Sequence, residues 1–484
     1  MTTALDPQPA TPAPTGGVPF YTEKGKAQPR AVKGRFRTLK WWATAILLGW
    51  WHLAPFIRWD RGPGAPGQGI LIDMVGRRAY FFMIEIWPQE VYYLTGLLLI
   101  AAISLFLMSS LAGRVWCGFL CWQTVYTDLF VWVEEHMIGD RNARIAFTKQ
   151  PLSLGKIGRL AAVNVIWLGI AFLCGLSFTL YFGDAFQVLH DVFTLQAPLA
   201  TYLFIGVIGG FCYLLAGHAR ERVCVYMCPY SRFQMAMTDE HSLVVSYEAW
   251  RGEPRGHVKH GESFEGRGHC VDCQLCLHVC PTGIDIRRGP QLACIGCGLC
   301  VDACNTVMAK FGLPANLISY DSSANMVARG RGLPATTKLI RPRTVLYAGV
   351  LAVAGCAMLA SLALRSDLRV DVLHGRTPVA VQLSGGMVRN GYDYKILNMQ
   401  RHDRQFILTA GAIPGGATLD IIGGAGGAQA VPLTVAGDSV GSFRLYVTTT
   451  GTEDRKNRPL NLVLTEPATG KTVVSETFVA SPDE

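Results

Sequence analysis

Long uncharged apolar stretches are the dominant pattern along the chain. Five stretches contain no Asp, Glu, Lys or Arg: residues 41–57, 91–113, 160–182, 199–217 and 344–364. A helix needs about 20 apolar residues to cross the hydrocarbon core of a bilayer. The pattern therefore predicts an α-helical membrane protein with about five transmembrane helices, of which the first is the shortest.

A different periodicity begins after the last apolar stretch. Residues 366–484 contain runs in which apolar and polar residues alternate, and Gly, Pro and Asn turns separate these runs. The clearest runs are residues 368–373, 393–397, 405–409, 442–448 and 472–479. Seven or so short strands predict an all-β sandwich. The glycine cluster at 423–427 lacks the spacing of a dinucleotide-binding loop, and we interpret it as a turn.

Composition narrows the class of protein. Hydrophobic residues make up 50% of the 484 residues and charged residues 16%, whereas typical soluble domains have about 25% charged residues. This composition excludes a disordered chain and an ordinary soluble enzyme. The net charge of +9 lies mainly beside the apolar stretches, so it indicates membrane topology and not nucleic-acid binding.

Lys and Arg are unevenly distributed among the loops. Seven lie in residues 24–40 and six between the second and third stretches, whereas the loop 183–198 has none. Because these residues accumulate in cytoplasmic loops, we expect the N-terminus inside and the C-terminal segment outside the inner membrane of a bacterium. The first 23 residues lack the apolar core of a signal peptide, which favours a flexible tail.

These patterns give a domain plan. We expect a flexible basic cytoplasmic tail at 1–40 and four membrane helices within 41–217. Between the second and third of these helices lies a cytoplasmic connection at 114–159, whose apolar part favours an interfacial helix. A cytoplasmic segment at 218–343 follows, then a fifth membrane helix at 344–364 and a periplasmic domain at 366–484.

Eight of the fifteen cysteines form two similar runs in the cytoplasmic segment. The first is Cys270-x2-Cys273-x2-Cys276-x3-Cys280-Pro281, and the second is Cys294-x2-Cys297-x2-Cys300-x3-Cys304. This spacing is typical of bacterial ferredoxins, in which the fourth cysteine of each run binds the other cluster. We therefore assign Cys270, Cys273, Cys276 and Cys304 to one [4Fe-4S] cluster and Cys294, Cys297, Cys300 and Cys280 to a second. Zinc is the alternative, because paired Cys-x2-Cys motifs also form zinc ribbons.

Two further cysteine pairs lie beside apolar stretches. Cys117 and Cys121 follow the second stretch, and Cys224 and Cys228 follow the fourth. On a helix, residues four apart share a face, so each pair could hold a soft ion such as Cu(I) or cycle as a dithiol. The alternative is that they are simply buried small residues. Cys174, Cys212 and Cys356 lie inside the stretches, where we expect them to pack as small apolar residues.

Three segments carry these motifs: RGHCVDCQLCLHVCPTGIDIRRGPQLACIGCGLCVDACNTVM, GRVWCGFLCWQTVYTDLF and RVCVYMCPYSRFQMAM. In these segments, and over nearly the whole chain from about Phe36, the sequence resembles the cytochrome c oxidase accessory protein family (CcoG, also called FixG or RdxA). The resemblance implies an inserted 2[4Fe-4S] ferredoxin domain with its core at about 266–312 and a C-terminal immunoglobulin-like sandwich. It also matches the four remaining cysteines to two Cys-x3-Cys-Pro motifs, of which the first here reads Cys121-Trp122 and lacks the proline.

The family resemblance further implies a function. The family reduces Cu(II) to Cu(I) for the copper centre of cbb3-type cytochrome oxidase, so we expect a cupric reductase with two [4Fe-4S] clusters and copper as substrate. Cys224 and Cys228 are the preferred copper ligands. The implied partners are the membrane, a cytosolic electron donor, a copper exporter or chaperone and the oxidase assembly machinery; a homodimer is the candidate assembly, and no nucleic acid is expected. Two alternatives stay open: a quinol-linked electron conduit and a non-redox assembly scaffold.

Overall fold

The computed structural model describes residues 26–259, 261–376, 378–411, 417–422, 429–450 and 458–480. The chain divides into two compact units, Met1–Met358 and Leu359–Glu484. Residues 1–25 of the predicted tail and the predicted glycine turn at 423–427 lie outside the described residues.

The first unit is mostly helical. Its α-helices are α1 (Arg35–Leu53), α2 (Tyr92–Ala112), α3 (Val115–Phe119), α4 (Trp122–Met137), α5 (Arg141–Lys149), α6 (Leu154–Thr179), α7 (Ala185–Phe193), α8 (Leu199–Cys212), α9 (Tyr230–Met237), α10 (Ala249–Gly252), α11 (Leu275–His278), α12 (Leu299–Lys310), α13 (Ser323–Gly330) and α14 (Pro342–Ala363). Two π-helical segments, Tyr213–Ala219 and Val223–Met227, follow α8. Strands β1 (Ile70–Asp73), β2 (Arg78–Phe81) and β3 (Ile84–Ile86) form one sheet, and β4 (Val244–Tyr247) pairs with β5 (Ile318–Asp321).

Four helical segments among the described residues are long and apolar enough to cross a membrane: Pro88–Ala112, Leu154–Thr179, Leu199–Ala219 and Pro342–Ala363. They confirm the four longer predicted spans. The first predicted span, residues 41–57, is helical as most of α1, but α1 is not among these four. The reason is its polar start, since Arg35, Arg37 and Lys40 lie in its first two turns. The buried Lys40 lies 3.3 Å from the Asp128 carboxylate.

Helices α6 and α8 cross in close contact. A Cβ atom on Gly175 would lie 2.3 Å from the carbonyl oxygen of Ile205, and one on Gly209 would lie 2.8 Å from that of Ala171. Glycine therefore permits a backbone-to-backbone approach that any side chain would prevent. This crossing fixes the position of the end of α8 and of the cysteine-bearing segment that follows it.

Most of the eight clustered cysteines lie in loops or at the ends of short helices. Their loops pack between the β4–β5 ribbon and the helices α11 and α12, in a core that includes Val245, Met308 and Ile318. Each helix begins directly after the second cysteine of a run, with a residue of positive φ at its N-terminal cap: Gln274 (φ 56°) and Gly298 (φ 73°). The repeated motif thus produces a repeated fold, although glutamine replaces glycine in the first copy.

The second unit is a two-sheet β-sandwich. Its strands are β6 (Leu368–His374), β7 (Ala380–Gln382), β8 (Met387–Asn398), β9 (Arg404–Ala410), β10 (Ala417–Ile421), β11 (Ala430–Val435), β12 (Ser439–Thr450), β13 (Arg458–Thr465) and β14 (Thr472–Val479). One sheet has the order β10-β12-β8-β6, with β7 also paired to β8, and the other has the order β11-β9-β13-β14. Inward residues alternate along the strands, as Leu460, Leu462 and Leu464 show. The prediction of an all-β sandwich is confirmed.

Candidate iron–sulfur and thiol site

The first cysteine run surrounds a cavity. Its sulfur-bearing lining residues are Cys270, Cys273, Cys276 and Cys304. The remaining walls are mostly apolar, with side chains such as Leu275, Met308 and Leu317. The structure therefore brings Cys304, from the end of the second run, to the first run.

The second run surrounds a neighbouring cavity. Cys294, Cys297 and Cys300 line it together with Cys280, the last cysteine of the first run. Helix α12 carries one cysteine for each cavity, since Cys300 lines the second and Cys304 the first, one helical turn away. The two cavities are thus joined by a single helix.

These cavities suit iron–sulfur clusters. Burial raises the pKa of the Cys276, Cys294 and Cys304 thiols to about 12, so the ionised ligand form needs a nearby positive charge such as iron supplies. Within the described part of the chain, no three His, Cys, Asp or Glu side chains are placed to hold a single metal ion. Four thiols around an open cavity fit a cluster of several atoms better than one zinc ion.

Ion pairs and a backbone hydrogen bond stabilise the loops around the two cavities. Arg287 pairs with Asp285 at 2.8 Å and with Asp272, which lies between Cys270 and Cys273. At the second cavity the backbone N–H of Gly296 donates to the Cys294 sulfur at 3.4 Å. Burial raises the pKa of Cys297 to about 11, and the nearby Lys40 cation opposes this increase.

The two other cysteine pairs come together. Cys224 packs against the core cluster that contains Cys117, and the charges of Cys121 and Cys228 affect the pKa of both thiols. We call these four residues the four-thiol cluster. Burial raises the pKa of the Cys117 thiol, and it raises that of Cys224 to about 12, with the neighbouring thiols adding to the effect.

The backbone of the four-thiol cluster differs from the prediction that each cysteine pair shares one face of a helix. Cys117 lies in α3 and Cys224 in a π-helical segment, whereas Cys121 and Cys228 have extended backbones (φ −68°, ψ 127° and φ −81°, ψ 109°). An extended backbone is expected before Pro229, because proline disfavours helical geometry in the preceding residue. Cys121 adopts the same conformation without a proline, since it is the N-cap of α4. The second cysteine of each motif therefore has an extended backbone, although only the motif of Cys228 contains the proline.

Two polar residues missed by the sequence reasoning hold Cys117. Its thiol donates to Gln234 Oε1 at 2.9 Å, and Arg114 Nε donates to the same oxygen at 3.2 Å. Arg114 also donates to the carbonyl of Leu292, beside the second cysteine run. Arg114 could have been noticed as the only charged residue between 91 and 127, but nothing in the sequence marks Gln234.

The four-thiol cluster packs against the second cavity. Cys117 shares a buried core cluster with Ile295 and Cys297, and Cys224 and Cys300 pack against the same core. A Cβ atom on Gly118 would lie 2.7 Å from the Gly296 carbonyl oxygen and 3.0 Å from Cys297 Cα. Glycine at 118 is thus needed for the close approach of the two sites.

Comparisons with known proteins agree with this arrangement. A family model described as a 4Fe-4S dicluster domain matches residues 219–323, and one described as a 4Fe-4S binding domain matches residues 94–141, which contain Cys117 and Cys121. A third, described as an IG-like fold at the C-terminus of FixG, matches residues 358–481. The sandwich of the second unit therefore belongs to an immunoglobulin-like domain.

Relatives with similar sequences extend over most of the chain. The nitrogen fixation protein FixG of Rhizobium meliloti is 43% identical over 459 residues, which cover 89% of this chain and 87% of the relative. The protein RdxA of Cereibacter sphaeroides is 43% identical over 435 residues, which cover 89% of this chain and 90% of RdxA. With its 4Fe-4S domains and apolar helices, the chain belongs to the FixG/RdxA family of membrane-associated iron–sulfur electron-transfer proteins.

Proposed function

We propose that this protein is a cupric reductase, which converts Cu(II) to Cu(I) at the four-thiol cluster for assembly of a cbb3-type cytochrome c oxidase. One observation carries the proposal. The four-thiol cluster is packed against the cavity of the second cysteine run, with Cys117 and Cys297 in the same buried core.

The chemistry of the two sites is complementary. Cys280, Cys294, Cys297 and Cys300 would hold a [4Fe-4S] cluster, which would supply single electrons, and Cu(II) needs one electron to become Cu(I). Thiolates are soft ligands that favour Cu(I), so the four-thiol cluster retains the reduced ion. Copper binding displaces the thiol protons, which the raised pKa values of Cys117 and Cys224 otherwise retain.

Both cysteine pairs take part in this proposal. The sequence alone favours Cys224 and Cys228, but thiols of the two pairs affect one another's pKa. Cys117 is the member held by Arg114 and Gln234, so it is the most firmly positioned ligand. Since no three of these thiols converge on one point among the described residues, two of the four thiols bind the ion in this proposal.

The distribution of Lys and Arg supports placing this chemistry on the cytoplasmic side of a bacterial inner membrane. A cytosolic donor then supplies the electrons, and a copper exporter or chaperone carries Cu(I) toward the oxidase. The immunoglobulin-like domain lies on the opposite, periplasmic side.

The test is an anaerobic assay with the purified full-length protein. The reduced protein is mixed with Cu(II), Cu(I) is followed with a chelating dye, and the iron–sulfur absorbance is followed in parallel. The variant C224S/C228S removes half of the four-thiol cluster, and C356S is the control because Cys356 is an exposed cysteine in α14. Iron content is measured in every preparation.

One Cu(I) formed per electron lost from the clusters, at a rate that falls in C224S/C228S and not in C356S, would support the proposal. Equal rates in all three proteins would mean that the clusters reduce copper nonspecifically. Oxidation by a quinone and not by Cu(II) would favour an electron conduit. Clusters that no physiological reductant can reduce would favour a scaffold.

A further inference from the structure

Two cysteines that the sequence assigns to separate spans meet inside the first unit. Cys174 lies in α6, Cys212 is the last residue of α8, and both pack in one buried core together with Tyr126. The close crossing at Gly175 and Gly209 brings these helices together. The sequence predicts that these cysteines pack as small apolar residues, and the structure in addition places Cys174 and Cys212 in the same core.

The thiol pair lies well within the apolar spans. With a rise of about 1.5 Å per residue, Cys174 is about 8 Å from the nearer end of α6, at Thr179, and Cys212 is about 10 Å from the nearer end of its span, at Ala219. Cys174 is 2% exposed. No aqueous ligand reaches such a position easily, so whatever binds there must arrive through the protein.

A buried hydroxyl group faces the pair. Tyr126, on α4, is 1% exposed, and its hydroxyl makes no hydrogen bond of ordinary geometry with the described residues. Tyr126 packs in the same buried core as Cys174, and Cys212 packs against that core. A buried polar group without a good partner is unfavourable, and a thiolate at Cys174 would give this hydroxyl a strong acceptor.

Aromatic side chains connect this core with the four-thiol cluster. Trp122 directly follows Cys121, and its indole ring packs on the Tyr126 ring with centroids 5.0 Å apart, while Tyr126 shares its buried core with Cys174. Thiols thus continue from the four-thiol cluster into the membrane-spanning helices. A ligand common to both places must prefer sulfur and tolerate an apolar environment.

We propose that Cys174 and Cys212 form an intramembrane Cu(I) site, with the Tyr126 hydroxyl donating to the bound thiolate, and that this site receives the ion from the four-thiol cluster. The proposal rests on the proposed function for its supply of Cu(I). Cu(I) accepts two sulfur ligands, and thiolate and thioether types of ligand select this ion.

The transfer conserves charge. Cu(I) replaces the proton of one thiol of the pair, while the other thiol binds with its proton in place. The bound group is therefore neutral overall, which avoids the cost of an unpaired charge in an apolar environment. The displaced proton is taken up by the thiolate of the four-thiol cluster that the ion leaves, and no electron changes hands in this step.

The test is an anaerobic titration of full-length protein in detergent with Cu(I), in competition with bicinchoninate. The variant C174A/C212A is compared with C356A, which removes an exposed cysteine from another span. We expect wild-type protein and C356A to bind one Cu(I) per chain more than C174A/C212A. We expect Y126F to keep the number of sites but to bind the intramembrane ion about tenfold more weakly, because a hydrogen bond to a charged group is lost.

An equal number of sites in C174A/C212A and C356A would overturn the proposal, as would isolation of the pair as a disulfide that binds no Cu(I). If C174A/C212A does not fold, the wild-type protein gives the answer by mass spectrometry. Cu(I) should then protect Cys174 and Cys212 from N-ethylmaleimide, and unchanged labelling would overturn the proposal. If the protein does not reduce Cu(II) but still binds Cu(I) at Cys174 and Cys212, the proposed reductase function is overturned and the intramembrane Cu(I) site stands.

Discussion

The carboxylate of Asp302 accepts a hydrogen bond from the backbone N–H of Arg37 at 2.8 Å. A second bond at 3.2 Å comes from the N–H of Phe36. Asp302 lies in α12 between the cluster-binding cysteines, whereas the two N–H groups open α1. The helix α1 therefore begins on a side chain of the ferredoxin domain, and an anion at this place also interacts favourably with the helix dipole.

Replacing Asp302 with alanine should loosen this attachment. We expect a loss of about 1 kcal/mol for the missing cap, together with faster hydrogen exchange at the N–H groups of Phe36 and Arg37. Hydrogen exchange with mass spectrometry measures this directly. The control is Glu265→Ala, because Glu265 is an exposed carboxylate of the same domain. Unchanged exchange in D302A would mean that α1 is held by its other contacts.

Substitution of Gly118 should separate the four-thiol cluster from the second cavity. The new Cβ of Gly118→Ala would meet backbone atoms of Gly296 and Cys297 at 2.7 and 3.0 Å, so the two backbones must move apart. Displacements of this size reduce rates by about tenfold to a hundredfold. Bleaching of the clusters by Cu(II) should slow accordingly at unchanged iron content. Gly155→Ala is the matched control, since a Cβ there meets no atom within 4 Å; equal rates in the two variants would count against this contact as the electron path.

The helix crossing in the membrane unit gives a stability prediction. Gly175→Ala places a Cβ 2.3 Å from the Ile205 carbonyl oxygen, and such overpacking costs about 1–3 kcal/mol. The variant should unfold at a lower temperature in detergent than the wild-type protein. Gly169→Ala, in the same helix but with open space around it, should be neutral, and equal destabilisation by both would point to helix backbone effects instead.

A buried ion pair makes the β-sandwich sensitive to acid. The Glu466 carboxylate accepts two hydrogen bonds from Arg404, both at 2.6 Å, and these bonds lower the pKa of Glu466. A lowered pKa in the folded state stabilises the fold above the unfolded value of about 4.3, and this stabilisation is lost as the pH falls through the folded value. Stability of the sandwich should therefore decline below about pH 4.3.

Glu466→Gln should remove most of this acid dependence. At pH 7 we expect the free energy of unfolding to fall by about 3 kcal/mol, the low end for a broken buried pair. The loss is at the low end because Asp367 still lies 3.5 Å from Arg404 and partly compensates its charge. Pulse proteolysis of the full-length protein in urea, over a range of pH, measures the free energy of unfolding of this unit. A variant whose stability falls as steeply with acid as that of the wild type would assign the effect to other carboxylates.

Local patterns in the sequence predicted much of the fold. Uncharged stretches of helical length became α2, α6, α8 and α14, and alternating runs became strands such as β6 and β14, because each pattern reports the face that a local element buries. The cysteine runs likewise identified a dicluster ferredoxin by spacing alone.

Contacts between distant segments were not predictable in this way. Cys117 and Cys224 are separated by more than a hundred residues, and Cys174 meets Cys212 only because two glycines let their helices approach closely. The polar start of α1 appeared to be part of a basic tail until its partners, Asp128 and Asp302, were known. A single sequence contains the residues of such contacts but not their pairing.

The helix α12 has a consequence for how electron flow can be controlled. It carries Cys304 of the first cavity and Cys300 of the second, four residues and about 6 Å of helix axis apart. This separation cannot change unless the helix unwinds. Exchange between the two clusters therefore proceeds at a rate set permanently by the fold, and any control over turnover must act where the donor arrives or where the substrate leaves.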